Sequence, residues 1–181
     1  MNTTNNSWTG CDFINNTAEK YGGAICFYSD SESGSGNCDN NSWTGCDFIN
    51  NTAGYGGAIC FYSFSESGSG NWDNNSWTGC DFINNTAGYG GAIYFMGSSG
   101  SVNYCIFENN TANNGGAIYI YSGSVDVDYN FFGFQNNVTE FPSGLVYGAT
   151  LNNWVVLNIS EVNNILRIEA CTGCKYGILR R

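Results

Sequence analysis

The sequence predicts an all-β fold: a parallel β-helix, or solenoid, of about five coils with a short C-terminal β extension. Three observations carry this expectation. First, one block, Asn-Asn-Ser-Trp-Thr-Gly-Cys-Asp-Phe-Ile-Asn-Asn-Thr-Ala followed by Tyr-Gly-Gly-Ala-Ile, starts at Asn5, Asn40 and Asn74, and a degenerate copy runs from Tyr104 to Ile118. Self-similarity at a fixed period marks a repeat architecture. Second, Cys11-Asp12-Phe13 alternates small apolar, charged and large apolar side chains, the period of a half-buried strand. Third, the glycine pairs at Gly22, Gly56, Gly90 and Gly115 advance by 34 (22 to 56), 34 (56 to 90) and 25 residues (90 to 115). The last step defines a minimal unit of the size of one coil. A period of 34 also suits helical hairpins, but the copies lack Leu and are rich in Gly, Asn, Thr, Trp and Phe, which form helices poorly.

Each coil is expected to begin at Trp8 and pass through a first strand that points Phe13 inward. Asn15-Asn16-Thr17 then turns the chain, because Asn tolerates left-handed backbone and bonds its own neighbourhood. The Gly22-Gly23 pair makes a tight corner, and Gly23–Phe27 forms a second strand with Ile25 and Phe27 inward. Tyr28 leads out to a Ser/Gly/Glu-rich insertion of nine residues, expected as a protruding loop at 30–40 and again at 64–74. Stacking in register would align Phe13, Phe48, Phe82 and Phe107 as an aromatic column. Ile25, Ile59, Ile93 and Ile118 would form an aliphatic one, and Asn16, Asn51, Asn85 and Asn110 an amide ladder bonded from coil to coil. A worn fifth coil, Val127–Phe132, follows Val102–Phe107 by 25 residues, with Asn130 in the cysteine slot. The expected division is therefore a repeat domain at 1–133, a linker at 134–150, and at 151–181 a truncated cap or the start of a second module. There Trp154–Ile159 and Ile165–Ile168 read as strands joined by a turn at 160–164.

Composition excludes several classes of function. The chain has 181 residues, 5 Lys+Arg against 15 Asp+Glu, no His, and a formal charge of −10. That charge disfavours nucleic acid and anionic membranes as partners. The missing His removes the commonest general acid/base and metal ligand. No apolar run reaches the ~20 residues of a membrane span, and no signal peptide follows Met1. Membrane insertion is not expected, and no cofactor is implied.

The candidate sites are rows. Asp12, Asp47 and Asp81 are expected to face outward one rung apart, either as a solvated face or as a weak cation row. Cys11, Cys46, Cys80 and Cys105 share one slot and read as small buried hydrophobes. Stacked strands also bring such residues within disulfide range, which leaves oxidation open. Cys26 and Cys60 share a second slot, filled by Tyr94 and Tyr119 in later copies, an exchange that points to no dedicated cysteine chemistry there. Trp8, Trp43 and Trp77 are expected inside, since Val102 takes that slot. Tyr21, Tyr55 and Tyr89, beside the glycine corner, are expected to be more exposed. Recurrent glycosylation motifs, among them Asn5, Asn15, Asn40, Asn50, Asn74, Asn84, Asn109, Asn137 and Asn158, mark glycans on an exported protein or an incidental product of Asn and Thr at bends. Cys171-Thr-Gly-Cys174 is a lone Cys-x-x-Cys, without the second pair a zinc site needs.

The pairing of Phe13-Ile14-Asn15-Asn16 with Gly22-Gly23-Ala24-Ile25 resembles the repeats of chlamydial polymorphic outer membrane proteins. The Asn/Thr-rich setting resembles adhesin-like surface proteins of methanogenic archaea. Val127–Gly133 is similar to the segment that closes their β-helix, and Trp154–Ile159 to the opening strand of the immunoglobulin-like modules that follow it. This resemblance, over roughly residues 5–160, implies a right-handed parallel β-helix, export and cell-surface display.

The expected function is a non-catalytic, adhesin-like surface protein. Its partner would be a glycan or protein on another cell or in the cell's own surface layer, and open coil ends add end-to-end self-association. The entry into a repeat directly after Met1, and the late cluster Lys175, Arg180 and Arg181, suggest a fragment of a longer parent. One alternative is a structural spacer or gene remnant. A further alternative, a β-helix polysaccharide lyase or hydrolase, lacks its base: residues 1–133 hold one Lys, Lys20, and no Arg or His.

Overall fold

The computed structural model describes residues 3–29, 37–63, 72–133, 146–147, 154–162 and 165–170. Most of the two loops, the motif at Asn137 and the Cys171/Cys174 pair lie outside the described residues. The first coil contributes β1 (Ser7–Thr9), β2 (Asp12–Ile14) and β3 (Ile25–Ser29). The second contributes β4 (Ser42–Thr44), β5 (Asp47–Ile49) and β6 (Ile59–Ser63), and the third β7 (Asn75–Thr78), β8 (Asp81–Ile83) and β9 (Ile93–Asn103). Then follow β10 (Ile106–Glu108), β11 (Ile118–Asp128), β12 (Asn130–Gly133), β13 (Val146–Tyr147), β14 (Trp154–Val162) and β15 (Ile165–Ala170).

These strands form two sheets. One, of eight strands, runs β1-β4-β7-β9-β11-β13 and also holds β3 and β6; the other, of seven, runs β15-β14-β12-β10-β8-β5-β2. Pairing is parallel and in register throughout the coils: Trp8 pairs Trp43, Phe13 pairs Phe48, and Ile25 pairs Ile59. A parallel pair one repeat apart places each side chain on its own counterpart. Phe13, Phe48, Phe82, Phe107 and Phe132 accordingly stack at centroid spacings of 4.7, 4.9, 4.8 and 5.1 Å. Trp8, Trp43 and Trp77 stack at 4.7 and 4.8 Å with rings within 5° of parallel.

The fusion of two strand types in β9 follows from the lost insertion. Its first half pairs β6, through Ile59–Ile93, and its second half pairs β7, through Trp77–Val102. Where residues 64–74 separate β6 from β7, the third-to-fourth coil has no insertion, so the chain runs straight on. Gly97, at φ +70°, sits where the joined strand bends against Ser63. The same long strand recurs in β11, with register shifts around Ser122.

The middle of each expected loop, residues 30–36 and 64–71, lies outside the described residues, and the ends that are described do not protrude. Cys38 and Trp72, at the returning ends, are buried in the core. Trp72 meets Phe61 edge to face at 6.2 Å. Parallel pairing also continues past Gly133. Val146 pairs Ile118, filling the aliphatic slot with a buried side chain inside the stretch expected as a linker. Trp154 pairs Asn130, so β14 adds a further rung to the second sheet. β15 then pairs β14 antiparallel, with Val162 opposite Ile165, so the connection is residues 163–164, shorter than the turn expected at 160–164.

Corners are made by residues with left-handed backbone. Asn5, Gly10, Asn15 and Gly22 have φ of 58°, 59°, 58° and 51°, and the pattern repeats at Asn40, Gly45, Asn50 and Gly56. The second glycine of each pair serves a different need. A Cβ on Gly91 would overlap the carbonyl oxygen of Gly116 in the next coil and press on Thr111. A Cβ on Gly79 would meet nothing within 4 Å, and only its φ of +61° is unfavourable. Gly79→Ala should therefore cost ~1–2 kcal/mol in urea denaturation. Gly91→Ala should cost at least ~3 kcal/mol, because one rung would have to leave the stack. Equal costs would contradict this account of the corner.

Candidate functional site

The inward side of the coils is occupied by structural polar groups. Asn51 Oδ1 accepts from the backbone N–H and from Nδ2 of Asn16, both at 3.0 Å. Its own Nδ2 donates to Asn85 Oδ1 at 3.0 Å and to the Phe13 carbonyl at 2.9 Å. All four bonding positions of the amide are thereby used. Asn85 repeats the pattern with Asn110 and the Phe48 carbonyl. A second ladder, absent from the sequence reading, runs through Asn6, Asn41 and Asn75 with the same geometry. Its signal was the Asn-Asn doublet. In Asn5-Asn6 and Asn15-Asn16 alike, the first Asn takes left-handed backbone and the second points inward.

The cysteine slot lies beside these ladders. Cys80 Sγ donates to the Trp43 carbonyl at 3.5 Å, and Cys105 Sγ to that of Trp77 at 3.6 Å. Asn130 continues the slot by accepting from the Cys105 N–H at 2.8 Å. The seven described cysteines are all unpaired thiols. The indole Nε1 atoms of Trp43 and Trp77 are buried without a hydrogen-bond partner. Such an orphan costs ~1–3 kcal/mol. Burial of each indole, at ~25 cal/mol per Å² over ~200 Å², contributes about 5 kcal/mol and outweighs it.

The outward side carries the candidate binding residues. Tyr21, Tyr55 and Tyr89 form one row, with centroid spacings of 5.4 and 5.3 Å. Two shorter stacks lie beside it in different slots of the following strand, and the sequence alone does not join them to it. Tyr28 and Tyr62 stack at 5.3 Å, and Tyr94 and Tyr119 at 5.5 Å. These stacks touch the first row at Tyr21–Tyr62 (4.7 Å), Tyr55–Tyr94 (5.2 Å) and Tyr89–Tyr119 (5.4 Å). The result is one patch of seven tyrosines crossing four coils. Lys20 Nζ sits 4.8 Å from the Tyr21 centroid, and its hydrogen bond to Tyr21 raises its pKa. Because neighbouring rings cover each other's faces, the patch offers ring edges and phenolic groups rather than open platforms. Tyr28 and Tyr89 are its most exposed members, at 46% and 37%.

Elsewhere on the surface, the sequon residues Asn5, Asn15, Asn40, Asn50, Asn74, Asn84 and Asn109 are the exposed left-handed corner residues. The motif is thus a by-product of the corner, with the +1 Asn drawn inward wherever a ladder forms. A shallow polar depression of ≈ 500 Å³ is lined by Asn74, Ser99, Gly100, Ser101, Ser124 and Asp126. Asp12, Asp47 and Asp81 pair one above another, and the row passes to Ile106 in the next rung. Among the described residues, no group of three or more His, Cys, Asp or Glu side chains is arranged to hold a metal ion.

The aspartate row is electrostatically uncomfortable. Partial burial, then repulsion from Asp47 and Glu108, raises the Asp81 pKa above its ordinary value. A carboxyl whose folded pKa is raised binds protons more readily when folded, so its contribution to stability is greatest at low pH. That contribution is lost as pH rises from the usual aspartate range through the raised value. Asp81→Asn should remove this loss. Its thermal midpoint should match wild type at pH 3 and exceed it by up to ~2 °C at pH 7, a small effect because the group is partly solvated. A lower midpoint than wild type at pH 7 would mean that the carboxylate has a stabilising partner.

No curated protein and no solved structure matches the chain. Four stretches, residues 10–28, 45–62, 79–95 and 104–121, match the family described as the Chlamydia polymorphic membrane protein (Chlamydia_PMP) repeat. Each begins at the left-handed corner before the cysteine slot and ends beyond the glycine corner, within the strand that follows it. The part of the coil that is similar to this repeat is therefore the part that holds the phenylalanine column, the main amide ladder and the glycine corner.

Proposed function

We propose that the chain is a non-catalytic, adhesin-like segment of a cell-surface protein, in which a right-handed stack of about five repeat coils presents its outer face to a glycan or protein on another cell or in the surface layer. The tyrosine patch is the observation that carries this reading. Tyrosine combines a large, stiff contact area with a hydroxyl that bonds either sign of partner, at low entropic cost. Six of them, held together by contacts that include the buried Tyr94, make a surface that folding alone does not require, since the core columns lie on the opposite side of the strands. The repeat match supports surface display, as does the Asn/Thr-rich resemblance to archaeal adhesin-like proteins. The inward use of Asn and Cys supports the non-catalytic reading: the chain's polar repeats are engaged in holding coils together.

The reading is tested by attachment of the purified chain to glycan arrays and to whole cells. Tyr28→Ser combined with Tyr89→Ser removes the two most exposed rings of the patch. This double variant should lose attachment by ~10-fold or more, the size expected for central aromatic anchors. Tyr104→Ser combined with Tyr129→Ser, a stacked pair at a different corner, should attach as wild type does. Folded wild-type chain that attaches to nothing would favour the spacer reading, and equal attachment by both double variants would remove the patch from it.

A further inference from the structure

Cys26 and Cys60 differ from the other described thiols in where they point. The strand β3 alternates, with Ile25 and Phe27 packed against the core and Cys26 exposed on the other face. Cys60 is its register partner one coil on, on the same outward face, yet fully buried. Its cover is the tyrosine patch. In the next rung its slot is Tyr94, which packs against Tyr55 and Tyr119, with Tyr62 also close enough to act on its hydroxyl. One accessible thiol thus lies directly over one shielded thiol, on in-register neighbouring strands.

We propose that Cys26 and Cys60 are a modification site: a dithiol that accepts a low-molecular-weight disulfide and closes to a cross-coil Cys26–Cys60 disulfide. The step balances by two exchanges. The Cys26 thiolate attacks one sulfur of the disulfide RSSR, forming a mixed disulfide and releasing one RS⁻. Cys60 then loses its proton, and its thiolate attacks the Cys26 sulfur, forming the protein disulfide and releasing the second RS⁻. The two protein thiols are oxidised, RSSR is reduced to two RSH, and the two protons go to the departing thiolates.

The geometry separates the roles. The neighbouring Cys60 thiol lowers the Cys26 pKa, favouring the attacking thiolate, whereas burial and then its Cys26 neighbour hold Cys60 protonated. Once Cys26 is capped, its charge no longer opposes ionisation of Cys60. In-register parallel strands lie about 4.8 Å apart, inside the Cα range of disulfides. The Cβ atoms must close by a few tenths of an ångström, so the bond should be easily reduced. Of the inward cysteines, half-buried Cys11 is the accessible competitor, and the other three compete poorly. Cys46, Cys80 and Cys105 are buried and donate to backbone carbonyls.

The repeat supplies its own assay. Chymotryptic cleavage after Tyr21 and Phe27, and after Tyr55 and Phe61, releases two identical hexapeptides, Gly-Gly-Ala-Ile-Cys-Phe, while the inward slot gives Thr-Gly-Cys-Asp-Phe from Cys11, Cys46 and Cys80 and Cys-Ile-Phe from Cys105. The reduced full chain is treated with oxidised glutathione and alkylated with N-ethylmaleimide, and its monomer is isolated by sizing before digestion. The expected product is the hexapeptide pair joined by a disulfide, in folded chain and not as the main product in denaturant. Cys60→Ser should instead keep glutathione on Cys26, and should be capped at least ~10-fold faster than Cys26→Ser is capped at Cys60. Wild-type monomer carrying glutathione on the hexapeptide without closure would overturn the proposal. So would a hexapeptide that is only alkylated, a disulfide through Thr-Gly-Cys-Asp-Phe, or the same joined pair as the main product from denatured chain.

Discussion

Every coil depends on a buried amide that can be satisfied in only one arrangement. Asn51 uses two acceptor and two donor positions on three partners: Asn16, Asn85 and Phe13. A slip of one residue along a strand would turn its side chains to the opposite face and orphan all four bonds, at ~1–3 kcal/mol for each group left without a partner. Hydrophobic columns alone would tolerate some sliding, because a phenylalanine ring packs against many apolar neighbours. The amide does not slide. It fixes the register, and register then places Phe13 on Phe48, Trp43 on Trp77 and Ile59 on Ile93.

The outer surface inherits this order. Once each residue lies on its counterpart, whatever points outward becomes a stripe, whether or not a partner selects it. The aspartates become a row of like charges, whose repulsion adds to burial in raising the Asp81 pKa. The left-handed corner asparagines become a line of sequons. The tyrosines become a patch, and two thiols become neighbours. The same constraint separates tolerant from intolerant positions. Tyr104 replaces Gly at a left-handed corner and points to solvent, at φ 57° and 61% exposure. By contrast, Gly23, Gly57 and Gly91, each the second glycine of its pair, face the next coil's carbonyl and admit no side chain.

Much of this was legible in the chain because in-register stacking converts a repeated slot into a column. Phe13, Phe48, Phe82 and Phe107 can be aligned by eye, and so can Ile25 and its counterparts. The Asn6–Asn41–Asn75 ladder was equally present in the text. It was missed because its first Asn resembles a turn residue, and only backbone geometry distinguishes the left-handed Asn from the inward one. The long strands β9 and β11 were not legible. They arise from a deletion, and the joining of two strand types depends on Gly97 and Gly123 reaching conformations that no local pattern specifies. The rungs beyond Gly133 were hidden for another reason: Val146 and Trp154 take up the pairing without repeating the motif. The tyrosine patch lay between. Its rows were visible, but their contact depends on how the glycine corner folds back on the following strand.

The central claim is that buried asparagine amides lock the coils in register, and side-chain amide hydrogen exchange tests it most directly. In ¹⁵N-labelled chain, the Nδ2 protons of Asn51 and Asn85 should exchange orders of magnitude more slowly than those of Asn50, the exposed corner residue beside the same ladder. If the Asn51 and Asn85 side-chain protons exchange as fast as those of Asn50 while the backbone strands remain protected, the ladder does not hold the coils, and the register must come from the apolar columns alone.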